Sequence, residues 1–150
     1  MFNRFKKYKV KLGDKATQKK HLLYAVKDED IEFIENYTPL PIELRVFYRE
    51  IGYGFFHTGL GAFYRLLSPM QLKQINCRED FYKYDIELDS YEERYNGEKY
   101  LFFEVNEGIY LAIDKKDYNG KNSIYLFDKK IANSLEDFLS SFDENPNYFD

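Results

Sequence analysis

Residues 100–128 have the sequence YLFFEVNEGIYLAIDKKDYNGKNSIYLFD. Aromatic and β-branched residues are concentrated in three segments of this stretch, which are 100–105, 109–114 and 123–128. The intervening segments contain Asn106, Gly108, Asn119 and Gly120, and these residue types are common in the turns of β-hairpins. Because both connections are short, the stretch predicts three consecutive antiparallel strands.

Two helices are predicted to precede these strands. The first begins at Asp28 or Asp30, because either carboxylate can cap a helix end. The second follows Pro41, whose missing N–H costs nothing in a first turn, and Gly52 and Gly54 end it. Each helix has an apolar stripe, formed by Ile31, Phe33 and Ile34 in the first and by Leu44, Phe47, Tyr48 and Ile51 in the second.

Other segments in the first half of the chain have weaker patterns. Residues 5–12 fit either a half-exposed strand or an irregular arm, because only their last apolar residues alternate. Residues 17–25 fit a short helix, and residues 55–67 fit a strand or a hairpin. Ser68 and Pro69 then predict the cap and the first position of another short helix.

A closing helix is predicted to begin at Asn133 or Ser134 and to reach about Phe142. Helices that precede a group of strands, followed by one more helix, are typical of the α+β class rather than of a parallel α/β fold. The expected architecture is an antiparallel β-sheet of about four to six strands, flanked by helices. Its core is expected to contain Leu44, Phe47, Phe102, Ile113, Ile124 and Phe138.

Length and composition indicate one globular domain. The chain has 150 residues, and its 15 Tyr and 14 Phe supply apolar area for a core. We expect a single domain over residues 1–150, with its core at 28–142. Cys77 is the one cysteine, so no intramolecular disulfide can form. A cytoplasmic protein is expected, since the sequence shows neither a secretory signal pattern nor an apolar run of about 18 residues.

The charges are unevenly distributed along the chain. Residues 1–27 contain nine Lys and Arg residues and a single acid, Asp14, which gives this basic N-terminal segment a net charge of +8. Since the whole chain has a net charge of −4, the remaining residues carry −12. A basic N-terminal segment therefore precedes an acidic body.

No motif in the chain predicts catalysis or a bound cofactor. His21 and His57 have no metal-ligand spacing relative to each other or to Cys77. The glycines between positions 52 and 61 fit neither a phosphate-binding loop nor a dinucleotide fingerprint, and they follow a predicted helix rather than a strand. No serine has the sequence context of a hydrolase nucleophile. We therefore expect a protein that is not an enzyme and has no cofactor and no metal.

Residues 79–98 are the stretch most distinctive for function. They contain eight acids against Lys83 and Arg94, with five Phe and Tyr residues interleaved. One interpretation is a solvated, charged loop before the strands. The other is a surface that binds a protein partner, since tyrosine is frequent at interface hot spots and negative charge attracts a basic partner. The residues predicted to bind it are Asp80, Tyr82, Tyr84, Asp85, Glu87, Asp89, Tyr91, Glu92 and Glu93.

Three parts of the chain resemble the SUKH superfamily over roughly residues 28–142. The first resembles the opening helix pair of that family, with Leu40-Pro41 at the junction. The second, at 100–125, resembles the central strands, and the third, at 134–139, resembles the closing helix. The order and spacing of the three parts together carry the resemblance.

The resemblance has consequences for fold and function. It implies an antiparallel sheet flanked by helices, and often a role in neutralising secreted toxins of the nuclease type. The family has no established set of catalytic residues to carry over. The chain departs from the family pattern in two places, since Tyr37-Thr38 replaces the usual Leu-Gly pair and residues 1–27 lie outside the pattern.

Three functions are compatible with the sequence. The favoured one is an immunity protein whose acidic surface blocks the basic substrate cleft of a cognate toxin domain. The second is a regulatory or scaffold adaptor of the cell-wall-assembly-regulator kind. The third is a nucleic-acid or anionic-surface binder that uses residues 1–27. A protein partner is favoured over nucleic acid, no membrane partner is expected, and the sequence leaves the oligomeric state open.

Overall fold

The computed structural model of the chain describes residues 1–14 and 19–150. Its strands form one antiparallel sheet in which each strand pairs with the next strand along the chain. In order, the strands are β1 (Leu22–Tyr24), β2 (Tyr53–Phe55), β3 (Tyr64–Leu66), β4 (Lys99–Val105), β5 (Ile109–Asp114), β6 (Ile124–Leu126) and β7 (Lys129–Ala132). The sheet thus has seven strands, more than the number expected from the sequence.

Helices lie before, between and after the strands. In the described residues, the α-helices are α1 (Asp28–Glu35), α2 (Ile42–Glu50), α3 (Pro69–Asn76), α4 (Ile86–Tyr95) and α5 (Leu135–Glu144). Short 3-10 helices are present at Asn3–Tyr8 and Asp80–Tyr82. Helices combined with an antiparallel sheet confirm the predicted α+β class.

The predictions for the central and C-terminal parts of the chain are confirmed. β4, β5 and β6 are consecutive antiparallel strands, and α2 follows Pro41 as expected. α5 begins after Ser134, whose hydroxyl oxygen accepts a hydrogen bond from the Asp137 N–H at 3.0 Å. The predicted core residues Leu44, Phe47, Phe102, Ile113, Ile124 and Phe138 are all buried.

Three local predictions for the N-terminal part are wrong, wholly or in part. Of residues 17–25, expected to form a short helix, 17 and 18 lie outside the described residues, and 22–24 form strand β1. Residues 5–8 belong to the 3-10 helix Asn3–Tyr8, which neither the strand nor the irregular arm predicted, whereas residues 9–12 are irregular apart from a single β-bridge between Lys9 and Leu23. α1 begins at Asp28, as predicted, but the residue at its N-terminal cap is Lys27, and the aspartates expected there lie in the first turn, where the helix dipole still favours negative charge.

The backbones of β1 and β2 approach each other closely, and two glycines make this possible. A Cβ atom at Gly52 would lie 1.8 Å from the carbonyl oxygen of Tyr24. One at Gly54 would lie 2.1 Å from the carbonyl oxygen of Leu22. No side chain fits at these distances, so glycine is required on the strand side of the α2–β2 junction. Gly54 therefore belongs to the sheet rather than to the end of α2.

The sheet has apolar side chains on both faces. Along β5, Leu111 and Ile113 lie in the larger hydrophobic cluster, whereas Tyr110 and Ala112 lie in a second cluster, as the alternation of a strand requires. Buried residues of α1, α2 and α5 belong to the larger cluster. α4 contributes Leu88, Tyr91 and Tyr95 to the second cluster. Helices therefore flank the sheet on both sides.

The basic N-terminal segment contributes to the larger cluster. Phe2 and Phe5 are each 1% exposed. Both rings pack edge-on against the ring of Phe47 in α2, at centroid distances of 5.0 and 6.1 Å. The hydrophobic cluster therefore extends beyond residues 28–142 on the N-terminal side.

A buried carboxylate joins α2 to the start of α5. Glu43 is buried, and its carboxylate accepts hydrogen bonds from the backbone N–H groups of Asn122, Leu135 and Glu136 at 2.6, 2.9 and 3.1 Å. In return, the N–H of Glu43 donates to Oδ1 of Asn122 at 3.1 Å. Its negative charge also lies at the positive end of the α5 dipole. These interactions together fix the position of α2 relative to α5.

Candidate partner-binding surface

Residues 79–98 form a helical layer over the second hydrophobic cluster, so the interpretation as a loop is wrong for most of this stretch. α4 places Leu88, Tyr91 and Tyr95 on one face, and all three are buried. Their spacing of three and four residues is the sequence signal that indicates a helix. The acids between them lie on the remaining surface of the helix and give it its charge.

Some of the acids in this segment stabilise α4 itself. Oδ1 of Asp85 accepts a hydrogen bond from the Glu87 N–H at 3.0 Å and caps the helix. Glu87 and Asp89 lie in the first turn, where the helix dipole favours negative charge. Asn96, with φ of 48°, ends the helix in the left-handed conformation. Part of the acidity of residues 79–98 therefore has a structural explanation.

Arg78 neutralises another part of this acidity. Its Nη1 lies 2.9 Å from Oδ1 of Asp89 and 3.1 Å from Oε1 of Glu92. Within the described part of the chain, the exposed acids of residues 79–98 that form no ion pair are Asp80, Glu87, Glu93 and Glu98. These four carboxylates are the ones whose charge is fully available to a partner.

The structure places the nine predicted partner-binding residues in three environments. Six are exposed, namely Asp80, Tyr84, Glu87, Asp89, Glu92 and Glu93. Tyr82 and Asp85 are half-buried, whereas Tyr91 is buried. Eight of the nine therefore expose at least part of their side chain.

Tyr91 belongs to the core of the protein. Its hydroxyl oxygen accepts a hydrogen bond from the Tyr110 N–H at 3.0 Å, and its ring stacks on that of Phe127 at a centroid distance of 5.7 Å. Burial raises the pKa of Tyr91 above its usual value and raises the pKa of the neighbouring Tyr95 to about 12. The Tyr95 hydroxyl donates to the carbonyl oxygen of Phe127 at 3.0 Å, so both rings hold α4 on the sheet, and Tyr91 contributes to the partner surface only where its ring lines the groove beside α4.

A groove next to α4 extends the acidic surface. It has a volume of about 300 Å³, and its lining includes Glu87, Glu107, Ile109 and Phe127. Ile109 and Phe127 are partly exposed there. Glu107 and Phe127 come from turns that are remote from residues 79–98 in sequence, so only the fold brings them to this surface.

The two histidines form a buried hydrogen-bond network. Nδ1 of His21 accepts from the His57 N–H at 3.0 Å, and Nε2 lies 2.7 Å from Oδ1 of Asp143. Because Nδ1 is an acceptor, the ring proton is on Nε2 and is donated to Asp143. Burial lowers the pKa of His21 to about 4, so the ring is neutral at pH 7. Within residues 1–14 and 19–150, no group of three or more side chains could hold a metal ion.

Comparison with known proteins places this architecture in a family. The model of the SMI1/KNR4 family (SUKH-1) matches residues 25–141. The chain belongs to the SMI1/KNR4 (SUKH-1) family. The SUKH-1 match includes α1 to α4, strands β2 to β7 and most of α5, which confirms the resemblance seen in the sequence. The acidic surface on α4 therefore lies inside the SUKH-1 region, whereas Phe2 and Phe5 lie outside it.

A curated relative is similar to this SUKH-1 chain over most of its length. Immunity protein YxxD from Bacillus subtilis (strain 168) is 33% identical over 135 residues, which cover 89% of this chain and 90% of the relative. No solved structure matches the chain significantly. No helix in the part of this SUKH-1 chain that the structure describes has the length and apolar character needed to cross a membrane.

Proposed function

We propose that this SUKH-1 protein is a non-catalytic immunity protein that acts in the cytoplasm by binding and neutralising a toxin domain. The similarity to immunity protein YxxD carries the proposal, because it extends over about nine-tenths of both chains. A match of that extent includes the whole sheet and the acidic surface on α4 rather than one common element. The chemistry of this surface then indicates what kind of toxin it fits.

The acidic surface supports a toxin of the nuclease type. Residues 79–98 carry a net charge of −6, from eight acids and two basic residues. A nuclease needs a basic cleft in order to hold phosphate groups, so an acidic protein can cover that cleft without imitating nucleic acid in detail. We propose that this surface docks on the basic substrate cleft and excludes the nucleic acid from it.

The contacts of the basic N-terminal segment weigh against nucleic acid as the partner of this chain. Four of its cations bond within the protein, namely Arg4, Lys9, Lys19 and Lys20. The carboxylate of Asp143 alone forms ion pairs with Arg4, at 3.4 Å, and with Lys20, at 2.9 Å. Cations engaged in this way contribute little to a phosphate-binding surface, because each contact would have to break first.

Co-expression with the toxin domain tests the proposed function. The toxin to co-express is the C-terminal toxin domain of a secreted protein, if one is encoded next to this gene. Restored growth of cells that produce it, together with a stable complex of the purified proteins, is the expected result. Full toxicity in the presence of the chain, with no complex formed, would overturn the proposal and favour the adaptor function.

A matched pair of double variants tests the acidic surface. Glu87→Gln with Glu93→Gln removes two exposed charges of the surface, whereas Glu29→Gln with Glu32→Gln removes two exposed charges from α1. The first variant should slow association with the toxin domain several-fold at low salt and reduce the salt dependence of the association rate. The second should associate like the wild type. Equal association rates for both variants would place the interface elsewhere.

A further inference from the structure

Three large apolar side chains of residues 80–86 project into solvent. Phe81, Tyr84 and Ile86 are 86%, 82% and 81% exposed. Single exposed apolar residues are common, but three within six positions form a local concentration of apolar surface. The segment begins with the 3-10 helix Asp80–Tyr82 and ends at Ile86, the first residue of α4.

The backbone of this segment is held from the inside by Arg78. Nε of Arg78 donates to the carbonyl oxygen of Tyr82 at 2.7 Å. Nη2 donates to the carbonyl oxygens of Lys83 and Asp85 at 3.3 and 2.8 Å. The side chain of Arg78 is 13% exposed, and its Nη1 is engaged by two carboxylates of α4. Every part of the guanidinium group is thus used to fix the segment on the helix.

Tyr82 adds an apolar anchor to the same segment. Its ring is half-buried and packs against the second hydrophobic cluster. The ring of Phe81 lies edge-on to it at a centroid distance of 5.5 Å. Tyr82 therefore faces inward while Phe81 remains exposed. The segment is thus held both through its backbone, by Arg78, and through the ring of Tyr82. A segment fixed in this way loses little conformational entropy when a partner binds.

The charges around the segment define the partner. Asp80 begins the segment and Glu87 follows it, and neither forms an ion pair in the described residues. The one cation of the segment, Lys83, lies over the ring of Tyr84, with Nζ 5.5 Å from the ring centroid. A second copy of this chain would bring a second acidic segment against the first, which is unfavourable. A basic protein surface is complementary to the acids, and an apolar recess in that surface would accept the three exposed side chains.

We propose that residues 80–86 are a preorganised contact that inserts Phe81, Tyr84 and Ile86 into an apolar recess bordered by Lys and Arg on the toxin domain. This inference rests on the proposed function and specifies the surface of the partner. Arg78 is a positioning residue, since it orders the contact without reaching the partner. The acids determine the association rate, and the apolar side chains determine how long the complex lasts.

Dissociation kinetics of single alanine variants test the contact. The probe is the toxin domain that the chain protects against in the co-expression test, in a catalytically disabled form. Phe81→Ala, Tyr84→Ala and Ile86→Ala each remove an exposed side chain, and at least one should speed dissociation by about thirtyfold, the change expected of a hot spot. Tyr118→Ala is the matched control, because Tyr118 is 81% exposed on a different turn. It should leave the dissociation rate unchanged.

Arg78→Gln tests the positioning role. This variant should bind more weakly, while hydrogen exchange of the amides in residues 82–86 becomes faster than in the wild type. Faster exchange with unchanged affinity would show that order in the segment does not matter for binding, which overturns the role of Arg78. The global free energy of unfolding is measured in parallel, so that a general loss of stability is recognised.

The outcomes separate this inference from the function on which it rests. If the wild type binds the toxin domain and all three alanine variants dissociate like it, the apolar contact is refuted and the immunity function stands. If the wild type neither binds nor protects, both proposals fail. If sedimentation shows that the wild-type chain is a dimer and that the Phe81→Ala variant is a monomer, the segment is a self-interface and the inference is overturned.

Discussion

At the residue scale, Glu43 combines full burial with a negative charge. Three backbone N–H groups donate to its carboxylate, and two of them belong to the first turn of α5. Glu43→Gln keeps the shape of the side chain but places an NH₂ group against N–H donors. Since a hydrogen bond to a charged group contributes about 1.5–3 kcal/mol, we expect the free energy of unfolding in urea to fall by about 3 kcal/mol.

The exposed residue Glu32 provides the control for this substitution. Glu32 lies in α1 and is exposed, so Glu32→Gln should change the free energy of unfolding by less than about 0.5 kcal/mol. A loss for Glu43→Gln no larger than that of Glu32→Gln would contradict a structural role for the buried carboxylate.

His21 makes the stability of the protein depend on pH. The ring is neutral in the fold because burial lowers its pKa to about 4, whereas its usual value is 6.5. Between these values the unfolded chain binds more protons than the folded one, so stability falls as the pH is lowered from about 6.5 to about 4. Burial lowers the pKa of His57 as well, which acts in the same direction.

Asp143 does not cancel this dependence. Burial alone would raise its pKa, but hydrogen bonds from Lys20 and His21 hold the pKa below its usual value. Asp143 therefore keeps its charge across the same pH range. Urea midpoints measured at several pH values should fall through this range, and the two histidine ring signals in NMR report each pKa directly. A folded-state pKa of His21 near 6.5 would contradict the buried network.

The acidic stretch shows what single residues in a sequence reveal and what they do not. The types of residue at positions 79–98 indicated a charged surface, and the exposure of Glu87 and Glu93 agrees with that. They did not distinguish Tyr84, which is exposed, from Tyr91, which is buried. The difference depends on which side of α4 each residue occupies, and that follows from helix periodicity rather than from residue type.

At the element scale, the α2–β2 junction depends on the absence of side chains. Gly52 has φ of 134°, and a Cβ atom there would lie 1.8 Å from the carbonyl oxygen of Tyr24. Gly52→Ala must therefore either strain the backbone or separate β1 from β2. We expect a loss of about 3 kcal/mol or more in the free energy of unfolding, from strain and from displaced packing together.

Gly59 provides the matched control for the junction. A Cβ atom at Gly59 would have no atom within 4 Å, so Gly59→Ala should leave stability nearly unchanged or raise it slightly. Both variants are compared by urea denaturation under the same conditions. Equal effects at Gly52 and Gly59 would mean that the close approach of the two strands does not limit stability.

The elements that the sequence predicted are those with local signals. α2 has a proline at one end, a glycine at the other and a regular apolar stripe, and β4 and β5 are joined by a short turn. β1 has only three residues, and its partner β2 lies about thirty positions further along the chain. A strand of that length is defined by its pairing, so its sequence alone fits a helix equally well.

At the scale of the whole molecule, the basic N-terminal segment is the part least evident from the sequence. Its Lys and Arg residues indicated a basic segment outside the family pattern, but the rings of Phe2 and Phe5 belong to the larger hydrophobic cluster. The segment is also joined to α5, because Arg4 and Lys20 both pair with Asp143. Charge pattern describes the surface of this segment, whereas its apolar residues determine where it packs.

The packing of the N-terminal rings makes the stability of the whole domain depend on them. Phe5 is 1% exposed and lies near Phe47 and Phe56, at ring centroid distances of 6.1 and 6.0 Å. If residues 1–150 unfold as one domain, Phe5→Ala should lower the global free energy of unfolding by about 3–5 kcal/mol, as Phe47→Ala should. Leu12→Ala is the control, because Leu12 lies in the same segment and is fully exposed. Circular dichroism and tyrosine fluorescence should give coincident urea transitions for every variant. If residues 1–27 were instead a separate arm, Phe5→Ala would leave the main urea unfolding transition unchanged, because unfolding of the arm would not affect the sheet.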